Sequence, residues 1–459
     1  MVRDPKNQDS SNYSFLKGNT MNNIVSYIRV PHAHEPDIWK LRNKQLRIRL
    51  WELGLVFEAL VGLDKGQPNV VKLNLNSSTT EAALSQFTDR LDVQEPGKVI
   101  FGGHSFGAAT IVQFLKSTFY ADRPELKEMT EPLFVPKPDS AIRKQVTARN
   151  PIYLLDMWCF PLVSADAAPL RRLPLPAYSP GGPGGDAILA IESMHFYKWT
   201  EHTHTKARIL SPNPSEKVVS KESFTVGSDK FNEPHFFYVQ NSVHLNQSDF
   251  GILFPWLTKK AFGADQPERI LRLNLRAQLQ FLRANGVPVA ATSAADLEIA
   301  QQKQKESGSA TTATSSKKEK TEKPGTSDGK EKEDGDVPTA IKQKPDDTAP
   351  LPNSEDDKAI LDRTTNADGK GPVEAWIFVS LTGLGERAGP TEHEIMSGKA
   401  DKAKAEQADR DEKEMEGEME PSLANNANRV SSDSTSTPRP PPSEAVPRAK
   451  KTDVSVGDK

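Results

Sequence analysis

Lys98-Val99-Ile100-Phe101-Gly102-Gly103-His104-Ser105-Phe106-Gly107-Ala108-Ala109-Thr110-Ile111-Val112 is the stretch that decides the fold. A β-branched and aromatic run leads into Gly-x-Ser-x-Gly, and small, helix-compatible residues follow. A nucleophile elbow needs that order: a strand, a sharp turn carrying the serine, then a helix. The turn strains the serine backbone, so small residues must flank it. The helix brings its first amides and the positive end of its dipole to the serine.

A serine hydroxyl attacks an ester only when a histidine accepts its proton and a carboxylate orients that histidine. On this scaffold the two partners follow the serine in the order acid, then histidine, each just past a strand. Asp156 directly follows the apolar run Pro151-Ile152-Tyr153-Leu154-Leu155. His244 follows the strand expected over 235–240. His32, His34 and His104 precede the serine, His235 begins a strand, and His393 lies in a tail. His195 also follows a strand, but Phe196, Tyr197 and Trp199 around it read as packing. The His202-x-His204 pair has no supporting carboxylate or thiolate cluster and reads as a solvated loop rather than a metal site. Cys159, among Met157, Trp158 and Phe160, reads as packing.

Around the elbow, apolar spacing predicts a long amphipathic helix over 37–63, with Leu46, Leu50, Leu53, Phe57 and Leu60 on one stripe. Further helices are expected over 79–91, 248–260 and 267–285, with Gly286 just past the last. Strands are expected over 24–30, 151–155, 187–192 and 235–240. Strands alternating with helices give an α/β fold with a mainly parallel sheet. The apolar residues concentrate between about 23 and 300, the expected core. Residues 1–22 read as a flexible start. Residues 301–370 and 399–459 are so rich in Lys, Glu, Asp, Ser, Thr, Pro and Gly that they read as disordered. Between them, 371–398 is a short apolar island. Its Gly383-Leu384-Gly385 after a strand is only part of a dinucleotide loop, so docking on the core or on a partner is the expectation.

The net charge of −3 is mixed along the chain, and no basic stripe with interleaved aromatics argues for nucleic acid. No run of apolar residues is long enough to span a membrane. One cysteine and a polar start give a cytoplasmic location as the expectation.

Several of these blocks together resemble the platelet-activating-factor acetylhydrolase family, calcium-independent serine lipases. Gly103-His104-Ser105-Phe106-Gly107-Ala108-Ala109-Thr110 is similar to its nucleophile segment, with Ala108 where a third glycine is usual. Leu155-Asp156-Met157-Trp158-Cys159-Phe160-Pro161-Leu162 resembles its aspartate segment, and Ser242-Val243-His244-Leu245-Asn246 with Ser248-Asp249-Phe250 its histidine segment. Leu41-Arg42-Asn43 with Gln45 and Arg47, then Leu63-Asp64-Lys65-Gly66, resembles the helical region before the elbow.

The resemblance implies an α/β-hydrolase fold, with Ser105 as nucleophile, His244 as base, Asp156 as its orienter and the Phe106 N–H as one oxyanion donor. It also implies a second donor from a His-Gly-rich segment well before the serine. No such segment precedes Ser105, so the expected core lacks the family's first strands. The implied substrate is a phospholipid carrying a short sn-2 acyl group, as in 1-alkyl-2-acetylglycerophosphocholine, met at a membrane or lipoprotein surface. The implied chemistry needs no cofactor and no metal. Two other readings stay open on the same residues: a general carboxylesterase, or an inactive relative that acts as an interaction protein.

Overall fold

The first strand of the sheet, β1 (Phe101–His104), is the one that the elbow sequence requires. The computed structural model describes residues 36–71, 81–127, 131–263, 266–292, 354–369 and 375–397, with single positions 28, 30, 129 and 373. All of them fall within residues 1–412, the first of two units of the chain. The strand expected over 24–30 lies outside the described residues except for Ile28 and Val30. The expected tails 1–22 and 399–459, and the disordered segment up to 353, lie outside them as well.

Four strands run parallel in chain order: β1, β2 (Ile152–Leu155), β3 (Ile188–Ser193) and β4 (His235–Val239). All six residues of β3 are buried, as a parallel strand covered on both faces must be. A fifth strand, β5 (Trp376–Phe378), pairs antiparallel with β4. The register aligns His104 with Leu155, Leu155 with Ile191, and Ser193 with Val239. The residues just past each strand therefore collect at one end of the sheet, where open α/β sheets bind their ligands.

Alternate strand residues feed two apolar layers. Leu154, Ala190 and Phe236 face α1 (Pro36–Asp64), α2 (Phe106–Phe119) and neighbouring loops. Leu155, Ile191, Phe237 and Val239 form the other layer, with Ile270, Leu273, Ala277 and Phe281 of a helix near the end of the core. The stripe of α1 buries Leu46, Leu50, Phe57 and Val61, whereas Leu60 is exposed, because the last turn presents Val61 to the core instead.

Between β3 and β4 lie α3 (Met194–Lys198) and α4 (Thr200–Leu210). His202 and His204 are buried on α4 rather than in a solvated loop. Cys159 N–H donates to His202 Nε2 at 2.8 Å, and Gly385 N–H donates to His204 Nδ1 at 2.8 Å. Each ring thus accepts a main-chain hydrogen that burial would otherwise orphan. Of the helix expected over 79–91, residues 79–80 lie outside the described residues, and the rest is a single helical turn, Glu81–Ser85, followed by turns. The helix expected over 248–260 breaks into Phe250–Leu253 and α5 (Pro255–Phe262). Pro255 has no N–H to donate and holds Phe254 out of helical geometry. The last core helix, α6 (Pro267–Ala284), ends before Gly286 at φ +74°, close to its expected limits.

Residues 354–369 differ from their composition-based expectation. Asp357 is buried, its carboxylate accepts from Arg276 Nε at 3.0 Å and Nη2 at 2.6 Å, and Ile360 joins the second apolar layer. A window dominated by Lys, Asp and Thr hides one acidic and one apolar residue that find specific partners on α6. The apolar island docks on the core: Trp376 is fully buried against Phe237, with ring centroids 5.1 Å apart. The glycines of 383–389 wrap α4, where Gly389 N–H donates to Thr205 Oγ1 at 3.0 Å.

Candidate active site

Ser105 sits between β1 and α2 at φ 56°, ψ −123°, the strained turn that the elbow pattern predicts. Ser105 N–H donates to Leu155 O (2.9 Å), and its own carbonyl accepts from Trp158 N–H (3.2 Å). These two bonds tie the turn to the segment after β2. The first α2 amides with a helical partner are Ala108 N–H and Ala109 N–H, both to Ser105 O. The amides of Phe106 and Gly107 precede them and are open to an incoming negative charge.

The two glycines of the motif do different jobs. A Cβ on Gly103 would lie 2.5 Å from the Gly107 backbone, whereas on Gly107 it would meet nothing nearer than Arg49 Nη2 at 3.8 Å. Gly103→Ala is therefore expected to destabilise the fold by about 1–3 kcal/mol and distort the elbow, with Gly107→Ala close to neutral. Thermal melts of the two variants side by side check this, and an equal loss in both would contradict it.

Asp156 also sits at positive φ (41°), just past β2, and is fully buried. Its N–H donates to Ile191 O at 2.9 Å. Its Oδ1 accepts from Ser193 N–H, and its Oδ2 lies 3.0 Å from His244 Nδ1. Burial by itself raises this carboxyl. The hydrogen bond and charge of His244, with the charge of Lys206, outweigh burial and leave its pKa lowered. It is the ionised partner that a histidine needs.

His244 follows β4 by way of a loop that carries its own braces. Val243 N–H donates to Asn246 Oδ1 (2.8 Å), and Ser242 Oγ donates to Val239 O (2.6 Å). The ring is held from both sides: Phe196 of α3 stacks at 4.5 Å and 15°, and His104 lies at 4.4 Å. His104 Nε2 is buried with no hydrogen-bond partner among the described residues, and burial, then the His244 charge, push its pKa down to about 4. His104 therefore stays neutral near pH 7 and adds no competing charge.

The structure thus brings Asp156 and His244 into contact beside the elbow of Ser105. The Ser105 hydroxyl itself has no hydrogen bond among the described residues. His195 lies exposed on α3, away from this cluster. Among the described residues, His104, Asp156 and His244 place one donor atom each within 4.8 Å of one another, as a metal site would. Both Asp156 oxygens and His244 Nδ1 are already engaged in hydrogen bonds, so the set fits a carboxylate orienting an imidazole better than an ion. Burial, as the main cause, raises the Cys159 thiol strongly and keeps it from acting as a nucleophile.

The model of one protein family, platelet-activating factor acetylhydrolase, isoform II, matches residues 6–288. The chain belongs to this family. Its fold is accordingly the α/β hydrolase, in which β1, the elbow and α2 are the central unit. A curated relative from Schizosaccharomyces pombe, named "Putative phospholipase A2", is 25% identical over 299 residues. That alignment covers 62% of this chain and 58% of the relative. Acetylhydrolase and phospholipase A2 are both names for enzymes that hydrolyse esters of lipids. Among the described residues, no helix is long and apolar enough to cross a membrane.

Sequence reasoning missed the groups that hold the relay. His104 precedes the serine, against the order expected of a triad partner, yet its place in the motif puts it at the same sheet end. Phe196 read as packing, and the packing is against His244 itself. Arg49, which reads as one of the polar residues between the apolar positions of α1, donates from Nε to Thr110 Oγ1 (3.1 Å) and lies over the Phe106 ring at 5.0 Å.

Proposed function

We propose that the chain is a serine esterase that removes the sn-2 acetyl or short acyl group from phospholipids. The 3.0 Å contact of Asp156 with His244, beside a serine at φ 56°, carries this reading. In it, Ser105 Oγ bonds to the acyl carbon while His244 Nε2 takes the hydroxyl proton. The sn-2 C–O bond breaks, and His244 returns that proton to the leaving lysophospholipid oxygen. Water then attacks the acyl-enzyme with His244 again as base, which releases the short carboxylic acid and restores Ser105. The Phe106 N–H stabilises the oxyanion in both halves.

The surface near His244 supports a lipid substrate. Ile252, Leu253, Phe254 and Trp256 are exposed, with Trp256 69% accessible. Lys260 Nζ lies 4.9 Å from the Trp256 ring. An apolar patch edged by cations suits the boundary of a phospholipid aggregate. Phe160 contributes differently: it stacks on Trp39 at 4.0 Å and on Trp158 at 5.5 Å, beside Phe106. Leu162 is buried and belongs to the core.

The test is a substrate series: an sn-2 acetyl phospholipid, the same headgroup with a long sn-2 chain, and a soluble acetyl ester. The expected kcat/KM favours the acetyl phospholipid over both others by about tenfold or more. A preference for the soluble ester would instead assign a general carboxylesterase. Failure of Ser105 to react with a fluorophosphonate probe would assign a non-catalytic protein.

A further inference from the structure

Behind Asp156 lies a second carboxyl that the reaction above does not use. Glu192 is the residue of β3 just before Ser193, whose N–H holds Asp156 Oδ1, and just after Ile191, whose carbonyl accepts from Asp156 N–H. Glu192 and Lys206 are both fully buried and form an ion pair through Glu192 Oε2. Glu192 Oε1 is also buried, and no donor among the described residues reaches it. Its neighbour is the Asp156 carboxylate: the register that aligns Leu155 with Ile191 sets Asp156 beside Glu192, and the two carboxyl groups act on each other.

Two ionised carboxylates cannot share a hydrogen bond, because neither has a hydrogen to give. One proton on Glu192 Oε1 resolves the arrangement: it satisfies the orphan oxygen and supplies Asp156 with another donor. Lys206 then serves two ends of the site. It holds Glu192 Oε2, and its Nζ lies 5.0 Å over the Phe196 ring that stacks on His244.

We propose that Glu192 is a positioning residue, whose proton on Oε1 is donated to Asp156 and whose Oε2 is fixed by Lys206. This role rests on the reading of Asp156 and His244 as a catalytic pair. Burial, the largest cause, raises Glu192 to about 8 against the pull of Lys206, and the charge of Asp156 raises it too. The pair has split: Asp156 is lowered and Glu192 raised, so one proton stays between them near pH 7. Because the folded value lies above that of a free glutamate, the protonated form is complete well below pH 8 and is lost as pH rises through it. The other titratable groups around the pair are His244, His104, His202 and Cys159; the first two face Asp156, and the last two face Lys206.

The experiment measures the fluorophosphonate labelling rate of the full chain between about pH 6 and about pH 10, for wild type and Glu192→Gln. Wild type is expected to lose roughly three- to tenfold of its rate as pH rises through about 8, when a second charge appears beside Asp156. Glu192→Gln keeps an N–H for Asp156 and an oxygen for Lys206 at every pH, so its rate relative to its own value at about pH 7 should show no such fall. With substrate, the wild-type fall should appear in kcat and leave KM unchanged.

The same alkaline fall in both proteins would overturn the proposal. Infrared titration of wild type carrying 13C-labelled glutamate tests it without a variant: a buried protonated glutamate band should vanish through about pH 8. Its absence would overturn the proposal even if Glu192→Gln does not fold. Labelling that Ser105→Ala abolishes leaves the serine-esterase reading standing whatever Glu192 does. If wild type does not label at all, that reading falls, and the infrared band decides the state of Glu192 by itself.

Discussion

Replacing Ser105 with alanine should abolish fluorophosphonate labelling and lower turnover of an sn-2 acetyl phospholipid by roughly 10⁶-fold. The size follows from the unit in which the serine works. Asp156 is buried, lowered in pKa and in contact with His244, and His244 is clamped between Phe196 and His104. None of that organisation acts without a nucleophile to deprotonate. Asp156→Asn gives the matching result on the other end. An amide Nδ2 toward His244 Nδ1 would favour the tautomer that leaves Nε2 protonated, and the loss should be about 10⁴-fold. Combining the two changes should cost no more than Ser105→Ala alone, because the residues act together. Multiplying losses in the double variant would show that Ser105 and Asp156 do not belong to one relay.

Trp376→Ala should destabilise the protein by about 3–5 kcal/mol, measured by urea unfolding at fixed pH. Trp376 is fully buried, its ring stacks on Phe237, and its Nε1 donates to Ile360 O at 2.8 Å. Truncation opens a cavity between β4 and the turn that carries Asp357, and it orphans the Ile360 carbonyl. Trp376→Phe keeps most of the ring volume and loses the donor, so about 1–3 kcal/mol of loss is expected there. A change below 1 kcal/mol in Trp376→Ala would mean that β5 is not held to the sheet in solution.

The elbow was legible because strand, turn and helix signals fall within fifteen consecutive residues and demand no distant partner. Asp156 and His244 were legible through their place after strands, since a parallel sheet forces strand ends to one side. The clamp around His244 was not, because His104 and Phe196 approach from elements with no shared periodicity. Glu192 and Lys206 are hidden for a related reason: nothing in the sequence pairs a charged residue at a strand end with a lysine fourteen positions later. Burial on both sides of β3 turned them inward. The same limit applies to 354–369, where composition averages over a window, whereas Asp357 needs only Arg276, and Ile360 only one apolar layer.

Pairing of Val239 with Trp376 also sets a clock. At translation rates of roughly 5–20 residues per second, Trp376 is made on the order of ten seconds after its partner. Until then β4 is an open edge with Phe237 uncovered, a template for any other strand nearby. Newly made chains pass through that interval whether or not the finished protein is stable. Yield should therefore depend on the speed of synthesis and on chaperone supply more than the equilibrium stability suggests.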